Sequence, residues 1–191
     1  KINLNVRRFY IGMTRRMFYV LNSTGFPQNP NVQEYEDVGN RSQAMKPHPM
    51  TRLTALLKTE EEVLALHSRL KFSTYDKELS LFIIRNRDRS DTTIKPFLEM
   101  IINTKHKTSD VHERSCEVLK YRGDVCLWKE LNDLKIPKFP LSGHILMERG
   151  YAAGPELRKV MQTLKTVWLE SNFKMTKEEL LDYLDKNQQD E

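Results

Sequence analysis

After Pro155 the apolar residues fall at Leu157, Val160, Met161, Leu164, Val167 and Trp168, the i, i+3, i+4, i+7 spacing that gathers side chains on one face of a helix. That face is core. Pro155 fits the first helical position, where its missing N–H costs nothing, and Gly154 leaves the opening amides uncovered, so that a phosphate has a place to sit. Ahead of this start, Pro137 and Pro140 hold an extended approach and Ser142-Gly143-His144 makes a tight turn. Helix starts recur elsewhere: Thr59-x-x-Glu62 and Thr176-x-x-Glu179 both fit the capping box, and Met175 with Leu180 adds a hydrophobic staple. Apolar patterning predicts further helices over 50–57, 60–72, 75–87, 94–103, 111–121 and 124–134, joined by turn-rich pieces of the length usual in helical bundles. No strand pattern competes, and no fixed period marks a solenoid. The expected fold is all-α, an irregular multi-helix body with a small helical tail. Residues 22–49, with Pro27, Pro30, Pro47, Pro49 and several Asn, read as a long irregular linker or exposed loop.

A chain of 191 residues, 39% hydrophobic and 30% charged, buries a core in one or two domains and is not disordered. No apolar run approaches a membrane span, and no charged stretch leading into an apolar core marks a signal peptide. Beginning at Lys1, the chain is expected to be processed or a fragment. Cys116 and Cys126 both sit in helical patterns and are expected as two buried, reduced thiols rather than one forced disulfide. Neither their spacing nor the five histidines form a metal-ligand set. The net charge is +5, unevenly spread. Residues 1–46 hold seven Lys/Arg against three acids (+4), residues 136–170 five against three (+2), and residues 171–191 three against six (−3). Arg7, Arg8, Arg15 and Arg16, and the Arg85, Arg87, Arg89 set, suit a phosphate backbone, because each neutralised phosphate releases counterions; for any one cluster taken alone a solvated helix face is the better account.

Phe139-Pro140-Leu141-Ser142-Gly143, the Gly154-Pro155 helix start, Trp168 at the helix end and a closing helix over 176–186 together carry a family resemblance, which runs back through Leu119-Lys120-Tyr121-Arg122-Gly123, Leu81-Phe82-Ile83-Ile84-Arg85-Asn86-Arg87 and Lys46-Pro47-His48-Pro49-Met50-Thr51. In this pattern most of the chain resembles the C-terminal portion of class II CCA-adding tRNA nucleotidyltransferases, and looks like the animal mitochondrial form. Two positions depart from it: Ile145 stands where the family usually has Asp, and Arg158 where it has a second small residue. The resemblance implies that residues 1–46 end the neck and start the body, with the irregular linker, that 47–135 are the helical body, and that 136–191 are the tail. It implies an enzyme that adds CCA to the tRNA 3′ end from CTP and ATP, located in mitochondria and also compatible with cytoplasm or nucleus.

The family's chemistry needs a Gly-rich turn and paired aspartates holding magnesium, in a catalytic head. This chain has no Gly-Gly turn and no Asp-x-Asp, so it looks like the part that follows the head, with no catalytic, nucleotide-binding or metal residue of its own and no cofactor in this portion. CTP, ATP and magnesium would belong to the head. Glu36-Asp37-Val38-Gly39-Asn40-Arg41 fails as the family's base-selecting Glu-Asp-x-x-Arg, since Arg41 lies one residue too far, a Gly intervenes, and the stretch is not expected to be helical. The expected role is to hold the acceptor and T arms of tRNA by shape and phosphate rather than base sequence. The expected RNA-binding residues are Arg85, Arg87, Lys120, Tyr121, Arg122, Lys138, Ser142, Gly143, His144, Gly154, Lys159 and Lys165. Tyr121, between Lys120 and Arg122, is the candidate for stacking a base, whereas Trp128 and Trp168 read as core. His48, between prolines, reads as a capping or packing residue, and His144 as a possible phosphate contact. A homodimer is compatible with the sequence, and no membrane partner is expected. The alternative from another class is a helical protein-interaction module with merely solvated basic faces; a hydrolase using His48 or His144 lacks a paired nucleophile and base.

Overall fold

Side-chain caps start several of the helices. The computed structural model describes residues 30–188. Among them are ten α-helices and no strand: α1 (Val32–Ser42), α2 (Pro49–Thr54), α3 (Glu60–Leu70), α4 (Thr74–Asn86), α5 (Lys95–Asn103), α6 (Thr108–Arg122), α7 (Val125–Asp133), α8 (Gly143–Glu148), α9 (Pro155–Glu170) and α10 (Lys177–Gln188). The capping box expected at Thr176 forms in full, while the one expected at Thr59 forms by half, with the carboxylate bonding one residue before the cap. The Glu179 N–H donates to Thr176 Oγ1 at 3.3 Å and the Thr176 N–H to Glu179 Oε2 at 2.7 Å. At α3 the Glu62 N–H reaches Thr59 Oγ1, and the Glu62 carboxylate turns back to the Lys58 N–H. A third cap, Ser73 over the Asp76 N–H at 3.1 Å, starts α4.

Two stretches differ from the sequence expectation. Residues 32–42 are helical rather than irregular: Asn31 accepts the Glu34 N–H at 3.1 Å, and Tyr35 and Val38, three apart, bury one face. Ser142-Gly143-His144 is not a free tight turn but the opening of α8, although the Ser142 side chain makes no cap hydrogen bond. Arg7, Arg8, Arg15, Arg16 and Pro27 lie outside the described residues.

The chain groups into two compact units, one ending at Thr92 and resuming over Glu113–Asn132, the other made of Thr93–His112 and the residues from Asp133 on. In the first, α1 packs on α2, and α2 and α3 pack on α4. Met50, Leu57, Leu79, Ile83 and Leu119 are fully buried there. Small polar groups let α2 and α4 approach: the Thr54 hydroxyl donates to the Met50 carbonyl at 2.6 Å and lies 3.0 Å from the Ser80 hydroxyl. The carboxylate of Glu117, buried on α6, receives the His48 N–H at 2.9 Å and the Thr51 hydroxyl at 2.5 Å, both from the start of α2, while Lys120 pairs with its other oxygen at 2.7 Å. A negative charge at that helix N-terminus is also favoured by the helix dipole.

In the second unit α5, α8 and α10 pack on α9. Trp168 is 2% exposed, as its place in the apolar face demands. Phe139 and Phe173 meet it edge-on, with ring centroids 5.2 Å and 4.8 Å away. Phe173 reaches it only because Asn172 and Phe173 adopt left-handed backbone angles, φ 54° and 63°, which let the Phe173 N–H close on the Trp168 carbonyl at 2.9 Å. That conformation is unfavourable for a bulky residue, and the ring contact offsets it. Trp168→Ala removes the ring both phenylalanines rest on. It is expected to lower the unfolding free energy by about 3–5 kcal/mol in a denaturant titration; an unchanged midpoint would show that Trp168 is not core.

Candidate nucleic-acid interface

Five of the expected RNA-binding residues lie in the first unit, and most of their polar groups are already taken. Arg87 donates to the Leu57 and Lys58 carbonyls at 2.7 and 3.1 Å, closing the chain that leaves α2. Arg122 pairs with Asp124 at 2.6 Å and donates to the Asp91 carbonyl at 2.9 Å. Lys120 is held by the buried Glu117 and lies 5.7 Å over the Trp128 ring. Arg85 grips both oxygens of Glu60 at 2.9 and 2.5 Å, which raises the arginine's pKa and lowers that of the carboxyl. Its side chain is 54% exposed, so Arg85 alone of these four cations is open to exchange partners with solvent or a phosphate.

Tyr121 is a correction. The expected stacking platform is 2% exposed, its ring under the Arg41 guanidinium at 5.3 Å and the Arg87 guanidinium at 6.0 Å, and burial pushes its hydroxyl pKa up. No base reaches that ring. Trp128 departs the other way, being only partly buried. Both cysteines are free, but Cys126 is exposed, not buried as expected; Cys116 is buried, which raises its thiol pKa to about 11. His48 does what its setting suggested, its Nδ1 accepting the Met50 N–H at 3.2 Å to cap α2.

The rest belong to the second unit. Gly143 opens α8 against α9: a Cβ added to it would stand 3.7 Å from Leu157 Cδ2, so the Ser142-Gly143-His144 segment and the first turn of α9 are neighbours. Ser142 is exposed, and His144, 76% exposed, pairs at 3.2 Å with Glu148. Gly154 has φ 152°, a region that side-chain-bearing residues rarely enter, and nothing crowds it. Lys138 and Lys159 are exposed without a charged partner among the described residues, and Lys159 lines an open groove of about 640 Å³ with Gln162, Thr163 and Thr166. Lys165 is different. Half-buried, it donates to the Ile102 carbonyl at 2.6 Å, and burial lowers its pKa. It is a tie between α9 and the end of α5 rather than a free cation.

Sequence reasoning missed Arg41 and Arg52. Arg41, on a stretch expected to be irregular, donates through Nε to the Tyr121 carbonyl at 2.6 Å and pairs with Glu34 at 2.5 Å. Asp37 on the same helix accepts from Gln33 at 3.0 Å, so Asp37 and Arg41 have separate partners, although the segment is helical after all. Arg52 lies over the Tyr35 ring, 4.9 Å from its centroid; no sequence signal joins residues so far apart. Among the described residues no group of three or more His, Cys, Asp or Glu is placed to hold a metal, and no helix is long and apolar enough to cross a membrane.

No family model matches the chain. Among curated proteins it is 37% identical over 169 residues to human (Homo sapiens) CCA tRNA nucleotidyltransferase 1, mitochondrial, which covers 85% of this chain and 38% of the human protein. The mouse (Mus musculus) protein of the same name is 36% identical over 168 residues, with 85% and 38% covered, and the zebrafish (Danio rerio) protein 37% over 171 residues, with 86% and 39% covered. The chain is therefore homologous to a portion of these enzymes, and spans under two-fifths of their length.

Lys165→Glu sets a carboxylate against the Ile102 carbonyl in a half-buried position. It is expected to cost about 3 kcal/mol of stability, read as a lowered denaturation midpoint. An unchanged midpoint would mean that the Lys165 contact contributes nothing and that its cation is free for other work.

Proposed function

We propose that this chain is the tRNA-holding C-terminal region of a CCA-adding tRNA nucleotidyltransferase, with residues 1–46 ending the neck, 47–135 forming the body and 136–191 the tail. The observation that carries the reading is the homology over 85% of the chain to enzymes named for that reaction. The sequence supports the region: Asp-x-Asp and Gly-Gly, which the head's magnesium chemistry requires, do not occur in it. Magnesium, CTP and ATP would be handled by that head, and the chain's own share would be tRNA positioning in the mitochondrion, the compartment given in the relatives' names. A surface serving every tRNA must hold phosphate and shape, not base edges. The residues whose geometry suits this are Lys138, Lys159 and Arg85, with Ser142, Gly143, His144 and Gly154 at the adjoining starts of α8 and α9.

Binding of full-length tRNA is the direct test. Affinity is expected to fall steeply as salt rises and to be indifferent to sequence outside the acceptor and T arms. Lys138→Glu with Lys159→Glu is expected to weaken it about tenfold with no change in melting temperature, since both ammonium groups are solvent-exposed. A tRNA affinity that is absent at low salt, or insensitive to salt, would favour a protein-interaction module instead. The 191-residue chain alone is expected to incorporate no CMP or AMP into a tRNA lacking its terminus, even with magnesium and both nucleotides; incorporation of either would refute the assignment to the region after the head.

A further inference from the structure

Among the described arginines, Arg52 is held firmly and paired with nothing. Its guanidinium lies along α1, 4.9 Å from the centroid of Tyr35 and so close to Gly39, one turn on, that a Cβ there would stand 2.5 Å from Nη2. Its Nε is buried with no acceptor, and no carboxylate pairs with the group among the described residues. Packing a cation on an aromatic face recovers only part of the hydration it gives up. A guanidinium that serves structure alone is normally given a carboxylate or a carbonyl, as Arg41, Arg85, Arg87 and Arg122 are. Arg52 is instead oriented by a ring and a glycine, and its terminal nitrogens have no hydrogen-bond acceptor among the described residues.

We infer that Arg52, stacked on Tyr35 and seated over Gly39, is a binding site for one phosphodiester of an RNA backbone. The ligand class follows from the charge and shape of the site. A planar guanidinium fork matches two non-bridging oxygens of a phosphate. One cation balances the single charge of a phosphodiester, whereas a free phosphate dianion calls for more than one. Tyr35 is itself buried, so it backs the arginine and offers no face to a base. The inference rests on the tRNA reading for its ligand but not for its geometry.

The test compares the full chain with Arg52→Leu and Gly39→Ala, the second of which keeps the charge but pushes the guanidinium off its seat. Each is titrated with tRNA and with oligouridylate across a range of salt, and its melting temperature is measured. Arg52→Leu is expected to bind both RNAs about tenfold more weakly, with a salt slope shallower by about one phosphate contact. Gly39→Ala should weaken both in the same direction. Neither should melt lower than the parent, since one removes an uncompensated charge and the other replaces a helical glycine by alanine. Wild-type affinities in both variants would overturn the site and leave the tRNA reading standing. Failure of the parent chain to bind tRNA, with Arg52-dependent binding of oligouridylate, would do the reverse. Binding of neither RNA, a lowered melting temperature in both variants, or Arg52-dependent competition by inorganic phosphate would each refute the assignment.

Discussion

A carboxylate buried without donors would cost several kcal/mol, so the side chain of Glu117 dictates much of what surrounds it in the first unit. It is satisfied by the His48 amide, the Thr51 hydroxyl and the Lys120 ammonium, and the first two exist in the right place only if α2 begins where His48 caps it. The cap and the carboxylate therefore specify each other: shifting the helix start by one residue would orphan both Glu117 and the Met50 amide. Four residues further along α6, the Tyr121 carbonyl is taken by Arg41 of α1. The same face of α6 thus fixes α2 by its acid and α1 by its backbone, and α1 packs on α2. Gly123, at φ 80°, ends α6 beneath the Arg41 side chain, where an added Cβ would lie 3.1 Å from it.

Most helices were legible in the sequence through apolar spacing, and a few announced themselves a second time by a start signal. α3 and α10 carry capping boxes, and α9 carries Pro155 and a run of six apolar residues on one face. α1 announced itself by neither in an obvious way. Its buried face is little more than Tyr35 and Val38, its cap is an Asn among other Asn, and prolines flank it on both sides. α8 is only six residues long and begins at a Gly, so its local signal is a turn's signal, and what makes it a helix is packing against α9. In both cases tertiary contact outweighed weak local preference.

The candidate site was less legible than the fold, for an electrostatic reason. Clustered arginines in a sequence look alike whether they face solvent or close a helix, yet C-terminal carbonyls attract cations and take their donors. Arg41 was drawn to the last turn of α6 in this way, Arg87 and Arg122 to carbonyls of connecting segments, Lys120 to a buried acid, and Tyr121 was sealed beneath two guanidinium groups. Position in a basic cluster predicted charge but not availability. Arg52 was ordinary in sequence, and Lys138 and Lys159, expected contacts from the start, stand apart from the other candidates only through what does not pair with them.

That distinction bears on how a basic protein can hold RNA without losing stability when RNA leaves. A cation already bonded inside the chain must give up its partner to meet a phosphate, so its net gain is a difference between two similar interactions. An exposed lysine such as Lys138 would exchange only water and counterions on meeting a phosphate, so a contact from it would be salt-dependent and carry little orientation. Arg52 combines the two properties: the Tyr35 ring and the missing side chain of Gly39 fix its direction, while its charge remains unspent. Orientation established before binding is orientation the complex does not have to supply, which is how a few fixed cations can set the register that a larger number of mobile ones only strengthen.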